Sequence, residues 1–324
     1  MRRSVVAARD PQFGLMANSR PRVLLTRRIP SSILDLLRAE TDLDLFEGEG
    51  AMPRAELIRR VAEKQALISV LTDRIDGEVL DAAPALKIVA NIAVGYDNLD
   101  VAAGHARGVI MTNTPDVLTD AVAELTWALI LAVTRRIAEG DRLIRAGGWK
   151  GWALDFMLGA ELRGKQLGII GPGRIGRAVA AKAPGFGMTV VTATRDKGLD
   201  QLLVSSDVVS IHAPSTPQTR HLIDRRALAR MKRSAFLVNT SRGALVDEEA
   251  LAWALNERLI AGAALDVFER EPDVPPALRQ FENVVLVPHL GSATRETRTA
   301  MAELAVRNVL AVLRGDEALT PIRG

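Results

Sequence analysis

Three short segments in the second half of the chain carry side chains that could bind a carboxylate and move a proton. They are residues 239–243 with Arg242, residues 264–272 with Glu271, and residues 288–292 with His289. Each segment follows an apolar run typical of a β-strand. Open α/β sheets bind ligands at the carboxyl ends of parallel strands, so we expect the three side chains to meet there. Because histidine is well suited to donate a proton near neutral pH, we predict His289 as the acid/base, Arg242 as the acid-binding residue and Glu271 as the residue that orients His289.

A glycine-rich loop, Gly-Pro-Gly-Arg-Ile-Gly at residues 171–176, lies upstream between a strand-like run and a helical segment that we place at 177–183. In such loops Gly171 allows the tight turn, Gly173 lets backbone amides approach a pyrophosphate and Gly176 lets the helix pack on the sheet. The motif alone could be a turn without a ligand. Together with an acid-binding site, it predicts a nicotinamide-dependent oxidoreductase acting on a small acid.

The end of the next strand indicates which nucleotide is used. No acidic residue stands at position 193 or 194 to bind the ribose 2′-hydroxyl of NAD. Thr194 and Arg195 could instead hold a 2′-phosphate by charge-assisted hydrogen bonds. The adjacent Asp196 works against this interpretation, and Arg195 could simply be a solvated surface charge. We therefore predict that NADP(H) is favoured and that NAD(H) is possible.

The composition excludes several classes of protein. A chain of 324 residues is long for one core, which favours two domains. The net charge of +3 is small against 42 basic residues, and the arginines are scattered, so no nucleic-acid partner is expected. Cysteine is absent, which excludes disulfides and thiolate metal sites, and we expect no metal. The longest apolar run, 125–133, is too short for a membrane span, and residues 1–8 lack a signal-peptide core, so we expect a cytoplasmic protein without a membrane partner.

Strand-like and helical segments alternate along the chain from residue 22. We predict strands in two series: 22–26, 43–46, 66–71, 87–92 and 109–113, then 165–170, 189–194, 208–212, 235–240, 261–267 and 284–287. A long helix is expected at 120–136, capped by Thr119, and a final helix at 295–313. The pattern predicts two doubly wound α/β units with a cleft between them and a last helix that returns to the first unit.

These residues and motifs resemble the D-isomer-specific 2-hydroxyacid dehydrogenases, and among them the glyoxylate/hydroxypyruvate reductases. The resemblance covers residues 22–324 and includes 91–98, 112–120, the glycine loop and the three catalytic segments. It implies two doubly wound parallel-sheet domains and a homodimer. The flavodoxin-like substrate domain would comprise 22–113 plus 293–324, and the Rossmann cofactor domain 114–292, after a tail at 1–21. It also implies reduction of glyoxylate or hydroxypyruvate to a D-2-hydroxy acid.

The resemblance assigns roles to individual residues. Arg242 would bind the substrate, His289 would be the acid/base and Glu271 would hydrogen-bond His289. Backbone amides of Val94 and Gly95 would hold the substrate carboxylate, and Asp266 would contact the nicotinamide amide. Trp152, in an exposed dimer arm, would reach the partner's substrate site, although Trp149 and Trp152 could be interface packing only. We also expect a substrate contact at Leu71 and further cofactor contacts at Arg174, Ile175, His212, Pro214, Thr240 and Gly291.

Two departures from the family pattern concern the cofactor domain. The family usually has an extra helix and strand where this chain has only residues 196–205, so one sheet edge is expected to be trimmed. Pro172 lies inside the glycine loop, and Pro184 should end the first cofactor helix at Ala183. Two alternatives remain at this stage. One is a related dehydrogenase acting on formate, phosphite, D-lactate or 3-phosphoglycerate, and the other is a nucleotide-sensing corepressor-like scaffold.

Overall fold

The computed structural model describes residues 20–323, so residues 1–19 of the predicted tail lie outside the described residues. The first part of the chain forms a sheet of five parallel strands: β1 (Arg22–Leu25), β2 (Asp42–Leu45), β3 (Ala66–Val70), β4 (Ile88–Ile92) and β5 (Ile110–Thr112). Their order, β2-β1-β3-β4-β5, is the flavodoxin-like order. The helices between these strands are α1 (Ser31–Glu40), α2 (Arg54–Val61), α3 (Gly77–Asp81) and α4 (Val101–Ala106).

A second sheet of six parallel strands follows: β6 (Gln166–Ile170), β7 (Thr189–Ala193), β8 (Val208–Ile211), β9 (Phe236–Asn239), β10 (Gly262–Leu265) and β11 (Val284–Leu286). Its helices are α5 (Thr119–Thr134), α6 (Ile137–Arg145), α7 (Arg174–Lys182), α8 (Leu199–Ser205), α9 (Arg225–Arg230) and α10 (Glu248–Asn256), and the last helix of the chain is α11 (Arg295–Arg314). The strand order is β11-β10-β9-β8-β6-β7. Since β7 is the edge strand and α8 leads from it directly to β8, the trimmed edge is confirmed.

Both sheets are buried on their two faces, as parallel sheets require. In β4, Ile88 and Ala90 pack into one core and Val89 into another on the opposite face. The first of these cores is completed by α11, through residues such as Val306 and Val309. The last helix therefore returns to the first sheet, as the alternating pattern predicted.

The C-terminal segment is also tied to β5, because the amide of Ile322 donates to the carbonyl of Met111 at 2.8 Å. These contacts support the division into residues 22–113 plus 293–324 and residues 114–292, which stays a prediction. No helix among residues 20–323 is long and apolar enough to cross a membrane.

The predicted strands all exist, but several helix boundaries were wrong. The side chain of Thr119 does not cap α5, because Thr119 is already the first helical residue and Leu118 precedes it without a side-chain hydrogen bond. The long helix ends at Thr134, since Arg136 adopts a left-handed conformation with φ 55° and starts the separate helix α6.

The first cofactor helix, α7, begins at Arg174 rather than at 177, because the residue after Gly173 is already helical. It ends at Lys182, one residue before the expected position. Pro184 lies in the 3₁₀ turn Ala183–Phe186 that follows.

Candidate active site

The ends of the strands in the second sheet stand level with one another. The pairing register places Ile211, Asn239, Leu265 and Leu286 side by side at the carboxyl ends of β8, β9, β10 and β11. Arg242, Glu271 and His289 follow three of these strands within a few residues. The sheet therefore presents all three at the same edge, as expected for a doubly wound fold.

This edge faces the loop after β4 of the first sheet across a cleft. A cavity of about 620 Å³ lies between the sheets. Among its lining residues are Val94, Gly95, Tyr96 and Asp97 from the first sheet, and Gly173, Arg174, Ile175, His212, Pro214 and Arg242 from the second. A cavity of this size is within the usual range for a small-molecule or cofactor site.

His289 and Glu271 form a hydrogen-bonded pair. The His289 Nδ1 atom lies 2.8 Å from Glu271 Oε2, and the Phe268 amide donates to Glu271 Oε1 at 3.0 Å. Burial raises the pKa of Glu271, but the hydrogen bond and charge of His289, the Phe268 amide and the charge of Arg242 together outweigh burial, so that this pKa lies below its ordinary value. The carboxylate is ionised near neutral pH and accepts from Nδ1. This leaves Nε2 of His289 for a reacting group.

The turn that carries His289 is built on Asp266. His289 has a φ of 52°, and its amide donates to the Asp266 carbonyl at 2.8 Å. The Asp266 side chain is completely buried, and its carboxylate accepts from the amides of Leu290 at 2.5 Å and Gly291 at 2.8 Å. Burial raises the pKa of Asp266. Both of its oxygens are thus engaged within the chain, and its contact with a nicotinamide stays a prediction.

The guanidinium of Arg242 is held from three sides, and its backbone carbonyl accepts a further hydrogen bond. Its Nε donates to Asp97 Oδ1 at 3.0 Å, and its Nη1 donates to the Ser241 carbonyl at 2.9 Å. The Asn239 side-chain amide donates to the Arg242 carbonyl at 2.8 Å. The third side is Gly95, where an added Cβ atom would lie only 1.8 Å from Arg242 Nη2. The guanidinium therefore touches the backbone of the first-sheet loop, which only glycine allows at position 95.

The loop at Val94 and Gly95 is fixed through its carbonyl groups. Asn113 Nδ2 donates to the Val94 carbonyl at 2.7 Å, and Asn91 Nδ2 donates to the Gly95 carbonyl at 3.2 Å. Within residues 20–323, the amides of Val94 and Gly95 donate no hydrogen bond. Two backbone donors beside a guanidinium are an arrangement suited to an anion such as a carboxylate.

The glycine loop has the space that a dinucleotide needs. Gly171 has a φ of 85°, and an added Cβ atom there would lie 2.6 Å from the Ala213 amide nitrogen. At Gly176 an added Cβ atom would lie 2.4 Å from the Gly171 carbonyl oxygen. At Gly173 no atom lies within 4 Å of that position. The loop thus packs tightly on its protein side and is open at Gly173, where the first-turn amides of α7 could bind a pyrophosphate.

Arg195 lies at the end of β7, in a tight turn with Thr194. Its guanidinium donates to both Asp196 oxygens, at 2.7 and 3.0 Å. Both side chains are largely exposed and border a second cavity of about 610 Å³, also lined by Lys197 and Arg230. A 2′-phosphate at Arg195 would have to compete with Asp196.

His212 lines the cavity, whereas Thr240 is buried against Thr126. Burial lowers the pKa of His212 to about 4, so this imidazole is neutral near pH 7, and its Nε2 lies 2.9 Å from Ser210 Oγ. The Thr240 hydroxyl lies 2.9 Å from that of Thr126. With a pKa this far below 7, His212 carries no proton to donate as an acid near neutral pH.

Three of the predicted substrate contacts are not in the lining of this cavity. Among the described residues, the lining includes neither Leu71, Trp152 nor His289. Trp152 is 80% exposed and belongs to a segment with other exposed apolar side chains, including Trp149, Leu154 and Leu158. A contact from Trp152 to a substrate would have to be made in another copy of the chain.

Sequence reasoning missed two ion pairs of the cleft. Asp97 binds Arg242, and Asp116 Oδ1 lies 2.9 Å from Arg174 Nε. Asp97 belongs to the motif at 91–98, but nothing in the sequence pairs it with a residue 145 positions away.

Comparison with known proteins agrees with this architecture. The model of the family described as D-isomer specific 2-hydroxyacid dehydrogenase, NAD binding domain, matches residues 127–291. A glyoxylate reductase from Thermofilum pendens is 49% identical over 316 residues, which cover 92% of this chain and 93% of that protein. The chain belongs to the D-isomer-specific 2-hydroxyacid dehydrogenase family. It is therefore an oxidoreductase whose second sheet belongs to an NAD-binding domain.

Other members of this dehydrogenase family are similar over almost the whole chain. A glyoxylate reductase from Thermococcus litoralis is 46% identical over 314 residues, which cover 92% of this chain and 95% of that one. The crystal structure of an NADPH-dependent glyoxylate/hydroxypyruvate reductase from Sinorhizobium meliloti, in complex with NADP and malonate, has a TM-score of 0.82 at 35% identity. It covers 94% of this chain and 97% of its own.

Proposed function

We propose that this dehydrogenase reduces glyoxylate to glycolate or hydroxypyruvate to D-glycerate, with NADPH as the favoured reductant. The observation that carries the proposal is the His289–Glu271 hydrogen bond, which lies at the same strand-end edge of the second sheet from which Arg242 contacts Gly95. The relatives at 46–49% identity are glyoxylate reductases, which supports this choice of substrate.

The substrate carboxylate would bind beside Gly95. The Nη2 atom of Arg242 lies against this residue, and the amides of Val94 and Gly95 donate no hydrogen bond within residues 20–323. This placement neutralises the carboxylate and aligns the C2 carbonyl with the opposite wall of the cleft. Tyr96 and Leu99, which also line the cavity, would contact the short remainder of the acid.

His289 would supply the proton. A reduced nicotinamide bound in the cleft would supply the hydride that C2 of the oxo acid accepts. The carbonyl oxygen then takes the proton from His289 Nε2, so that C=O becomes CH–OH, and the resulting neutral imidazole regains a proton from solvent. Glu271 stabilises the imidazolium before transfer. Arg242 and the imidazolium meet the charge that develops on oxygen, which is where preorganised donors contribute most to catalysis.

The nucleotide would lie along the glycine loop, with its pyrophosphate at Gly173 and the start of α7. Further contacts are assigned to Arg174, Ile175, His212, Pro214, Thr240, Asp266 and Gly291. The adenosine 2′-phosphate would bind Thr194 and Arg195, and Arg195 would then exchange its hydrogen bonds to Asp196 for bonds to the phosphate. The glyoxylate/hydroxypyruvate reductase from Sinorhizobium meliloti carries NADP, which supports this preference at 35% identity.

A homodimer is also part of the proposal. The exposed apolar side chains around Trp149 and Trp152 form a surface that a second copy could cover, and Trp152 would then reach the partner's substrate site. A contact at Leu71 is assigned to the same substrate site. The location in the cytoplasm stays a prediction of the sequence.

Initial rates test the proposal. The purified protein is assayed with glyoxylate, hydroxypyruvate and pyruvate, each with NADPH and with NADH, and the chirality of any glycerate formed is determined. We expect the highest kcat/KM with glyoxylate or hydroxypyruvate and NADPH, and D-glycerate from hydroxypyruvate. A preference for pyruvate, or an L-product, would contradict the proposed substrate or the proposed geometry. Nucleotide binding without turnover of any of the three acids would favour a sensing scaffold instead.

A further inference from the structure

Among the described residues that line the cavity, Asp97 is the acidic side chain that binds Arg242. We propose that it is a positioning and specificity-determining residue, an inference that rests on the proposed function. Asp97 would hold the guanidinium in the orientation that binds one carboxylate, and its charge would disfavour 2-oxo acids that carry a second carboxylate.

The positioning part follows from the hydrogen bonds of Arg242. The guanidinium has five N–H groups. One, on Nε, donates to Asp97, and one, on Nη1, donates to Ser241. The three that remain are on Nη1 and Nη2, and Nη2 is pressed against Gly95. Because Asp97 and Ser241 fix the plane of the guanidinium, Nη2 is held beside the substrate-binding amides.

The pair also joins the two sheets. Asp97 is on the loop after β4 of the first sheet, whereas Arg242 follows β9 of the second. A hydrogen bond at 3.0 Å across the cleft therefore sets the position of Arg242 relative to the loop at Val94 and Gly95. An arginine held only through its backbone would not keep its guanidinium aligned with this loop, because its side chain has several rotatable bonds.

The specificity part follows from the charges of the cavity. Two arginines are among its lining residues, and each is already paired with an aspartate: Arg242 with Asp97 and Arg174 with Asp116. The single carboxylate of a 2-oxo monoacid would bind the N–H groups of Arg242 that Asp97 and Ser241 leave free. A second carboxylate would meet no further unpaired arginine among the described lining residues.

Asp97 would face that second carboxylate directly. The aspartate is 42% exposed toward the cleft, and within residues 20–323 its Oδ2 atom accepts no hydrogen bond. A like charge at this short range is a repulsive element that discriminates between substrates.

Neutral variants of Asp97 test both parts. Asp97→Asn keeps the size and the acceptor oxygen but removes the charge, and Asp97→Ser is a second neutral variant. Asp97→Glu keeps the charge. Asp100→Asn is the matched control, because Asp100 lies three positions along the same loop and only caps α4, a role in which Asn serves equally well.

The measurement is kcat and KM at saturating nucleotide for oxaloacetate and for the 2-oxo monoacid that the wild type reduces fastest. We expect the neutral variants to raise KM for the monoacid roughly tenfold, as for the loss of one charged hydrogen bond. Their preference for the monoacid over oxaloacetate, as a ratio of kcat/KM, should fall by about tenfold or more. Asp97→Glu should keep most of the preference, and Asp100→Asn should match the wild type. Unchanged nucleotide binding and thermal midpoints would show that the variants are folded.

An unchanged preference in the neutral variants would overturn the inference, as would an equal loss in Asp97→Glu. The wild-type rates test the proposed function separately, since they show which monoacid is reduced before any variant is compared. A wrong choice between glyoxylate, hydroxypyruvate and pyruvate would thus leave the test of Asp97 intact.

Discussion

Nδ1 of His289 lies 2.8 Å from Oε2 of Glu271, although 18 positions separate the two residues in the chain. The two side chains meet beyond the carboxyl ends of two neighbouring strands, β10 and β11. It fixes which nitrogen of the imidazole faces the cleft, and so it determines which atom can exchange a proton with a substrate.

Removing either member of this pair should impair turnover more than binding. His289→Ala should lower kcat by at least about 10²-fold, the lower end for losing a positioned general acid, and NADPH binding should change little. Glu271→Gln should lower kcat by a smaller factor, since the proton donor remains but loses its ionised partner. Glu269→Gln is the control two positions away, because Glu269 binds Arg220 and His221 instead. The measurement is the steady-state rate. A wild-type kcat for His289→Ala would show that His289 is not the proton donor.

Gly95→Ala tests the contact between the substrate loop and Arg242. The new methyl group would lie 1.8 Å from Nη2, so the guanidinium must move. We expect KM for the oxo acid to rise about tenfold or more, because a displaced guanidinium loses a charged hydrogen bond to the carboxylate. Gly173→Ala should show the opposite pattern, with weaker NADPH binding and no steric conflict in the free protein. Equal KM values for Gly95→Ala and the wild type would place the carboxylate elsewhere.

Two adjacent residues at the trimmed edge of the sheet, Arg195 and Asp196, allow a test of the nucleotide preference. Arg195→Ala should weaken NADPH binding roughly tenfold or more and leave NADH binding nearly unchanged, since only NADPH carries the 2′-phosphate. Asp196→Ala should act in the opposite direction, because it releases Arg195 from its present partner. Fluorescence titrations with both nucleotides measure the two effects. Parallel losses for NADPH and NADH would show that Arg195 does not bind the phosphate.

His212 should make the stability of the protein depend on pH. Its pKa falls from 6.5 to about 4 on burial, so between these values the unfolded chain binds more protons than the folded one. Stability is therefore fully present above pH 6.5 and declines as the pH falls toward 4, by up to about 3 kcal/mol for one such group. His212→Asn should show a flatter dependence of the thermal midpoint over this range. An identical slope in the variant would assign the effect to other groups.

Trp152 distinguishes a role in the substrate site from simple interface packing. If the side chain reaches the partner's site, Trp152→Ala should remain a dimer in sedimentation experiments and alter the preference between glyoxylate and hydroxypyruvate. Trp149→Ala serves as the comparison, because Trp149 is exposed in the same segment. Unchanged substrate ratios would make Trp152 a packing residue. A monomeric wild type would contradict both roles.

The strands, and the positions of Arg242, Glu271 and His289 after three of them, were predictable because they follow from local patterns, whereas the catalytic roles of these residues stay predictions. Parallel strands buried on both faces produce apolar runs, and the trio lies directly after three of them. The break between α5 and α6 was not predictable, because Arg136 adopts the left-handed conformation without a glycine or proline at the break that would indicate a helix end. The start of α7 was misplaced because the loop glycines continue into the helix.

Contacts across the cleft were the part of the site that the sequence could not provide. The hydrogen bond from Arg242 to Asp97 joins loops from different sheets and depends on how the two domains pack. The pairing of Arg195 with Asp196 is local, but which partner the guanidinium chooses depends on the ligand and on solvent. The engagement of Asp266 by the Leu290 and Gly291 amides likewise depends on the exact shape of one turn.

The return of α11 to the first sheet has a consequence for biosynthesis. One face of β3 and β4 is covered by a helix made from residues 295–314, which are synthesised after every strand of the second sheet. The second sheet is built from one continuous stretch of chain and has all its strands by residue 286. During translation one apolar face of the N-terminal sheet therefore stays uncovered until α11 has been synthesised. The nucleotide-binding unit can complete its core before that. The unit that is synthesised first is thus the one that matures last.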